Sequence, residues 1–190
     1  MLNTIRRKVR ALIEDFANIK KDFETFEYTT SKIFTLSEPN ISSIEKVLRN
    51  GTELGSGEYI YDSTTNKIKI IVSLTQGDII EVDYIFSKYS DTELNEYIRA
   101  SLPWISIKNN YDKCFELETE SNGIYPTPSN RESDLIAIIT SIIIKPNYSI
   151  YRLPNLTVRY PKNMSKEEKI QRIISKFASG IGISDTITWN

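Results

Sequence analysis

A stretch near the middle of the chain, residues 89–107, separates two kinds of sequence pattern and constrains the fold more than any other feature. Ser90 and Glu93 have the spacing of a capping box, which predicts that a helix begins here. Pro103 has no backbone N–H, so we expect a kink or a change of helix near it. The apolar residues of the stretch recur every three or four positions, as on one face of a helix: Leu94, Ile98, Leu102 and Ile105.

Before this helix, residues 27–89 show the pattern of short strands. Apolar and polar residues alternate in several runs, which predicts strands with one buried and one solvated face. Asn50 and Gly51 form the clearest turn signal, since both tolerate the positive φ of a tight hairpin. The sequence therefore predicts a β-module of about six strands, arranged as an antiparallel sandwich or meander.

The N-terminal residues 1–26 are predicted to form an amphipathic helix that packs with the later helices. Its apolar stripe runs at helical spacing from Leu2 to Phe23. Four basic residues lie off the stripe: Arg6, Arg7, Lys8 and Arg10. They are candidates for a contact with DNA or with an acidic partner, and the alternative is an ordinary solvated helix face.

Residues 90–178 are predicted to form a small helical module. Capping boxes at Ser129 and at Ser165 predict the starts of two further helices. The first of these helices is apolar on nearly all sides over residues 135–144, so its surface must be covered by its own domain, by a neighbouring subunit or by both. We expect both, with three residues in a subunit interface: Ile136, Ile139 and Ile143.

Residues 179–190 are predicted to form a C-terminal arm. Apolar residues alternate with small polar ones there, and a segment of this kind can add a strand to another chain. The alternative is a frayed terminus. Four residues are candidates for docking the arm on a neighbour: Ile181, Ile183, Ile187 and Trp189.

Composition excludes several classes of function. The chain has 190 residues, no histidine, one cysteine and a net charge of -1. Catalytic and zinc sites that depend on histidine or on paired cysteines are therefore excluded, and no phosphate-binding loop motif is present. We expect no catalytic residue, no cofactor, no metal site and no membrane segment, and we predict an α+β protein that is not an enzyme.

Several phrases of the sequence resemble the neck proteins of tailed bacteriophages, which are the head-tail connector or adaptor family. They are IFTLSEPNISSIEKVLRNGTELGSGEYIYDSTTNKIKIIVSLTQGDIIEVDYIF, KYSDTELNEYIRASLPWISI, IYPTPSNRESDLIAIITSIIIK and YRLPNLTVRYP. The resemblance covers most of the chain. It implies a structural virion protein that forms a ring, expected to be a dodecamer, beneath the portal.

The resemblance also implies particular partners and a location. The expected partners are other copies of the chain, the portal protein, and tail or other neck proteins, with passing contact with genomic DNA. The expected location is the virion neck, and the host cytoplasm during assembly. A second hypothesis is a carbohydrate-binding or adhesion module of a tail fibre or baseplate, based on Tyr59 and Tyr61; a third is a nucleic-acid-processing factor that uses residues 6–10.

Overall fold

A computed structural model of the chain describes residues 1–15, 19–108, 114–118, 123–178 and 185–188. The chain forms two compact units. Met1–Asp15 and Asp91–Asn190 make up one, which we call the helical unit, and Phe16–Ser90 make up the other, the β-unit. The predicted α+β class, with an N-terminal helix followed by strands and then by helices, is confirmed.

The β-unit contains two antiparallel sheets. One has the strand order β1-β7-β3-β4 and the other the order β2-β6-β5. The strands are β1 (Ile19–Glu27), β2 (Ile33–Thr35), β3 (Ile41–Arg49), β4 (Thr52–Glu53), β5 (Tyr59–Asp62), β6 (Lys67–Ile70) and β7 (Ile79–Phe86).

One hydrophobic core joins the two sheets, as in a sandwich. Alternate residues of the longer strands point into it because successive side chains of a strand point to opposite faces. The predicted alternation is confirmed, for example at Ile68 and Ile70, which have no exposed surface. The core contains Phe34, Leu36, Val47, Ile68, Ile70, Ile80, Val82, Tyr84 and Phe86.

The predicted hairpin at Asn50 and Gly51 is confirmed. Both residues have positive φ, 51° and 78°, and Leu48 pairs with Glu53 across the turn. Asp78 fixes the turn from the neighbouring strand: its carboxylate accepts hydrogen bonds from the Thr75 backbone N–H at 2.7 Å and from the Asn50 amide at 2.8 Å. The backbone N–H of Thr75, followed by the amide of Asn50, lowers the pKa of the Asp78 carboxyl.

The helical unit is built around its third helix. The helices are α1 (Leu2–Ile13), α2 (Asp91–Lys108), α3 (Asn130–Ile144) and α4 (Lys166–Ala178), and α1, α2 and α4 all pack on α3. The described residues of this unit also form short strands: β8 (Glu116–Glu118), β9 (Gly123–Tyr125), β10 (Ile150–Leu153), β11 (Leu156–Arg159) and β12 (Asp185–Thr188).

Two of the predicted capping boxes are confirmed. At α3, the Ser129 backbone N–H donates to the Glu132 carboxylate at 2.7 Å, and the Glu132 N–H donates to the Ser129 hydroxyl at 3.2 Å. At α4, Ser165 and Glu168 exchange the same pair of bonds at 3.1 and 3.2 Å. Each box satisfies two backbone donors that the first turn of a helix leaves free.

The predicted extent of the N-terminal helix is wrong. The helix α1 ends at Ile13 and the strand β1 begins at Ile19, so residues 19–26 belong to the β-unit. Glu14 has a φ of 57° and its backbone N–H donates to the Arg10 carbonyl, which closes the helix in a left-handed cap. The apolar spacing of residues 16–23 fits a helix, but pairing with β7 fixes residues 19–27 as a strand.

Of the two outcomes expected near Pro103, a change of helix is wrong, because α2 continues through it from Asp91 to Lys108, whereas a kink stays a prediction. Pro103 itself is exposed. Nearby, the buried Ser101 hydroxyl donates to the Ile98 carbonyl at 2.7 Å and accepts from Thr140 of α3 at 3.0 Å. These bonds hold the helix where the proline interrupts its hydrogen-bond ladder.

Replacing Pro103 by alanine is expected to raise the free energy of unfolding by about 1–3 kcal/mol. Alanine restores the backbone N–H that can donate to the Arg99 carbonyl and removes the clash of the ring with that carbonyl. Chemical denaturation of the variant measures the gain. Pro161→Ala, outside any helix, is the matched control and is expected to give none; an unchanged or lower stability of Pro103→Ala would contradict this account of α2.

Candidate functional site

A cluster of charged residues lies where the chain leaves and re-enters the helical unit. Arg10 of α1 donates from one Nη atom to the Asp15 carboxylate at 2.5 Å and from the other to the Asp91 carboxylate at 2.9 Å. Arg6 pairs with Asp91 at 2.8 Å. Asp15 has no exposed surface, whereas more than half of the Asp91 side chain is exposed. We call Arg6, Arg10, Asp15 and Asp91 the boundary cluster.

The boundary cluster binds the two residues that flank the chain segment of the β-unit. Asp15 is the last residue of the helical unit before that segment, and Asp91 is the first residue after it. Both are therefore held to α1 by one guanidinium group, which has the fork geometry needed to bind two carboxylates. The role of Arg10 that follows from these contacts is structural.

The interpretation of four basic residues of α1 as a contact for DNA or an acidic partner is contradicted by burial for Arg6 and Arg10, and for Arg7 and Lys8 it stays a prediction. Arg6 and Arg10 are buried in the boundary cluster, and Lys8 forms an ion pair with Asp134 of α3 at 2.6 Å. Arg7 alone is exposed. Helical spacing shows which residues lie off the apolar stripe, but it does not show that acidic groups of the same chain meet them.

The isoleucines of α3 are covered by the chain itself. Ile136 and Ile139 have no exposed surface, so their assignment to a subunit interface is wrong: they form the core between α3 and the helices packed on it. Ile143, near the end of the helix, is half-buried, and its place in an interface stays a prediction. The apolar pattern correctly predicts that α3 is enclosed, but it does not identify the helices that pack on it.

The C-terminal residues have a partner within their own chain. The strand β12 pairs in parallel with β11, and Ile187 lies opposite Val158 with 7% of its surface exposed. The side chain of Ile187 is therefore already buried within the helical unit, contrary to a free arm. Ile181, Ile183 and Trp189 lie outside the described residues, and their docking on a neighbour stays a prediction.

The outer face of the small sheet β2-β6-β5 exposes apolar and basic side chains together. Ile33 and Ile60 both lie opposite Lys69 in the pairing of the three strands, and they are 48% and 57% exposed. Ile71, directly after β6, is 48% exposed, and Lys67 is exposed on the same strand. We call Ile33, Ile60, Lys67, Lys69 and Ile71 the basic sheet face.

The hairpin β8–β9 of the helical unit exposes the opposite charge. Glu116 lies directly opposite Tyr125, and Glu118 follows two residues along the strand. Tyr125 is 67% exposed and both glutamates are exposed, whereas Ile124, on the other side of the hairpin, is buried. We call Glu116, Glu118 and Tyr125 the acidic hairpin.

The tyrosines behind the carbohydrate-binding hypothesis do not form an exposed face. Tyr59 and Tyr61 are half-buried and pack against the core of the β-unit, and the Tyr61 hydroxyl donates to the Asn66 side chain at 2.9 Å. Tyr84 has no exposed surface. Between Tyr59 and Tyr61, Ile60 points outward instead. The stacking surface that a sugar needs is therefore not provided by these residues.

A polar network closes the C-terminal end of α3. The buried Lys169 donates to the backbone carbonyls of Pro146 and Tyr148 at 2.5 and 2.9 Å. The Tyr151 hydroxyl donates to the Lys145 carbonyl at 2.7 Å, and the Tyr160 hydroxyl donates to the Lys169 carbonyl at 3.1 Å. The Tyr151 bond satisfies a carbonyl at the end of α3, and Lys169 places its positive charge beside the carbonyls that follow this helix, where such a charge is favourable. The Tyr160 bond ties the network to α4 instead.

Burial shifts the pKa of four groups in ways that matter above neutral pH. Burial lowers the pKa of Lys169 and raises the pKa values of Tyr151 and Tyr160. In the β-unit, burial and then the hydrogen bond to Glu24 raise the pKa of Tyr84 to about 12. In each case the uncharged form is favoured because the charged form loses its hydration.

Alkaline pH is expected to destabilise the protein above pH 10. The unfolded tyrosines ionise near their ordinary pKa of 10.0, whereas the buried ones keep their protons, so unfolding releases protons. Each such tyrosine then lowers the free energy of unfolding by up to about 1.4 kcal/mol per pH unit, for Tyr84 between pH 10 and about 12. Lys169 acts in the opposite direction, since its lowered pKa adds stability as the pH rises towards 10.5.

Denaturant titrations at a series of pH values between 8 and 12 measure this loss. Tyr151→Phe is expected to flatten the decline above pH 10, because one buried hydroxyl is removed. Tyr125→Phe, at an exposed position, is the matched control and is expected to keep the slope of the unmodified chain. A slope for Tyr151→Phe equal to that of the control would contradict the role given to burial.

No feature of a metal site or a membrane segment is found in the described part of the chain. There, no group of three or more acidic, cysteine or histidine side chains is placed to hold a metal ion. Nor does any described helix combine the length and the apolar character that crossing a bilayer requires. The features that stand out are thus two exposed surfaces of opposite charge.

No protein-family model and no curated protein matches the chain.

Proposed function

We propose that this chain is a structural protein of the neck of a tailed bacteriophage, a head-tail connector or adaptor that is not an enzyme. Its copies form a ring, a dodecamer by the resemblance, that joins the portal to the tail. The protein acts by symmetric assembly, in which one interface repeated around an axis closes a ring. Its place is the virion neck, after assembly in the host cytoplasm.

The observation that carries the proposal is the insertion of a complete β-sandwich into a helical unit. The sandwich has its own core, and the two helical-unit residues that flank it in the chain, Asp15 and Asp91, are bound in the boundary cluster. With this organisation, one chain has two compact units, and each unit can contact a different neighbour. The sequence phrases that resemble neck proteins extend over both bodies, which supports the same function.

The two exposed surfaces add support to a function in assembly. Contiguous exposed apolar side chains on a soluble protein commonly mark a binding surface, and the basic sheet face exposes three isoleucines together. The alternative of a carbohydrate-binding or adhesion module has no such support, because Tyr59 and Tyr61 turn towards the core.

Electron microscopy of purified virions tests the proposal. The chain carries a short tag at its C-terminus that binds a gold label, and the label is located in images of complete particles. We expect label at the junction of head and tail, in a ring around the axis. Label on the tail tip or on the fibres would contradict the neck assignment and would favour the adhesion alternative.

A further inference from the structure

We propose that the basic sheet face of one copy docks on the acidic hairpin of the next copy. The inference rests on the proposed function in one respect: it names the contact by which copies assemble head to tail. The two surfaces belong to the same chain, and each has side chains that suit the other.

The basic sheet face is a continuous row of side chains. Ile33, Lys69 and Ile60 lie opposite one another on three adjacent strands, which are spaced about 4.8 Å apart. Ile71 and Lys67 flank Lys69 along its strand. A single exposed isoleucine is ordinary on a protein surface, but three around one lysine form a patch that favours an apolar partner with negative charge.

The charges of this face are open to a partner. None of the ion pairs formed by described residues involves Lys67 or Lys69. The nearest acid in the pairing is Asp62, which lies opposite Lys67. Its carboxylate accepts from the Thr64 backbone N–H at 2.9 Å and from the Thr65 hydroxyl at 2.7 Å, so the turn holds it.

The acidic hairpin offers the complementary groups. Tyr125 provides a large, amphipathic ring of the kind that is enriched in interfaces, and Glu116 stands beside it on the neighbouring strand. Glu116 lies opposite Tyr125 across the hairpin, as Lys69 lies opposite Ile60 across β5 and β6. An exposed carboxylate beside a large ring can therefore meet an exposed lysine beside an apolar side chain.

A second copy of the chain is thus the occupant that the charges favour. The two surfaces differ, so the contact is heterologous: each copy uses its basic sheet face towards one neighbour and its acidic hairpin towards the other. Contacts of this type repeat from copy to copy and close into a ring when the rotation between neighbours allows it. A contact of one surface with itself would bring like charges together instead.

Charge reversal tests the contact on the full-length chain, with native mass spectrometry and sedimentation velocity at low salt. Lys69→Glu and Glu116→Lys, each alone, are expected to weaken assembly by at least about tenfold in dissociation constant. The double variant with both changes is expected to recover assembly. Lys162→Glu, at an exposed position outside both surfaces, is the control for the change in net charge of Lys69→Glu and is expected to assemble like the unmodified chain.

Mixing the two single variants gives the sharpest result. In a Lys69→Glu copy, the basic sheet face carries a glutamate and the acidic hairpin is unchanged, so both surfaces find opposite charges only on Glu116→Lys copies. We expect the mixture to assemble in strict alternation, with an equal number of each variant in every ring. Circular dichroism of each variant checks that these exposed changes leave the fold intact.

Assembly of both single variants like the unmodified chain would overturn the proposed contact, and so would failure of the mixture and of the double variant to recover. In either case a neck location in the labelled virions would leave the proposed function standing. The reverse result, in which the charge pairs behave as expected but the label lies elsewhere in the virion, would reject the neck function and keep the contact.

Discussion

Replacing Arg10 by methionine is expected to lower the free energy of unfolding by about 3–5 kcal/mol. The Asp15 carboxylate has no exposed surface and its ion pair with Arg10 is 2.5 Å long, so the variant removes an ion pair from a buried carboxylate. Loss of the pair with Asp91 adds little, since that side chain is largely exposed. Denaturant unfolding of the full-length variant measures the effect.

Two further variants make this result specific. Arg7→Met removes a positive charge from the exposed side of the same helix and is expected to change stability by less than about 0.5 kcal/mol. The double variant Arg10→Met with Asp15→Asn removes the buried charge itself and is expected to recover much of the loss. Equal stability of Arg10→Met and Arg7→Met would show that the boundary cluster does not hold the chain as described.

Replacing Ile139 by alanine is expected to cost about 2–5 kcal/mol, because it opens a cavity at the centre of the helical unit. Ile139 is fully buried where other helices pack on α3. The matched control is Ile143→Ala, on the same helix at a half-buried position, where the expected loss is smaller. Thermal unfolding of both variants compares them.

The same pair of variants separates packing within a copy from packing between copies. At a temperature where the Ile139→Ala chain is folded, native mass spectrometry is expected to give the same subunit number as for the unmodified chain. A variant that keeps its stability but loses subunits would instead place Ile139 in an interface and contradict its role in the core.

Features that depend on local chemistry could be predicted from the sequence. The hairpin at Asn50 and Gly51 needs only two residues that accept positive φ, and the capping boxes at Ser129 and Ser165 need only side chains three residues apart. The α+β order of the chain follows in the same way, because the apolar spacing changes with the type of element.

Features that depend on distant partners could not be predicted. The apolar spacing of residues 16–23 fits a helix, and it is the pairing of residues 19–27 with β7, some 60 residues later, that makes a strand. Arg10 and its partner Asp91 are 81 residues apart, so the pattern of α1 gives no sign that this charge is already paired. The isoleucines of α3 predict that this helix is buried, but only the fold shows that α1, α2 and α4 pack on it.

The basic sheet face and the acidic hairpin are even harder to predict from the sequence, because they depend on which side of a strand faces the core. In the run from Tyr59 to Tyr61 all three residues are apolar or aromatic, so hydrophobicity does not decide the orientation. The fold turns both tyrosines inward and Ile60 outward, beside Lys69. The sequence signal that was available is Ile71, which continues the outward alternation of Lys67 and Lys69.

Native mass spectrometry of the chain, alone and mixed with the portal protein, tests most directly that it is a ring-forming neck protein. The proposed function requires a closed ring with one defined subunit number, expected to be twelve by the resemblance to neck proteins, bound to the portal assembly. A chain that stays monomeric alone and with the portal, and that shows no complex between them, would contradict it.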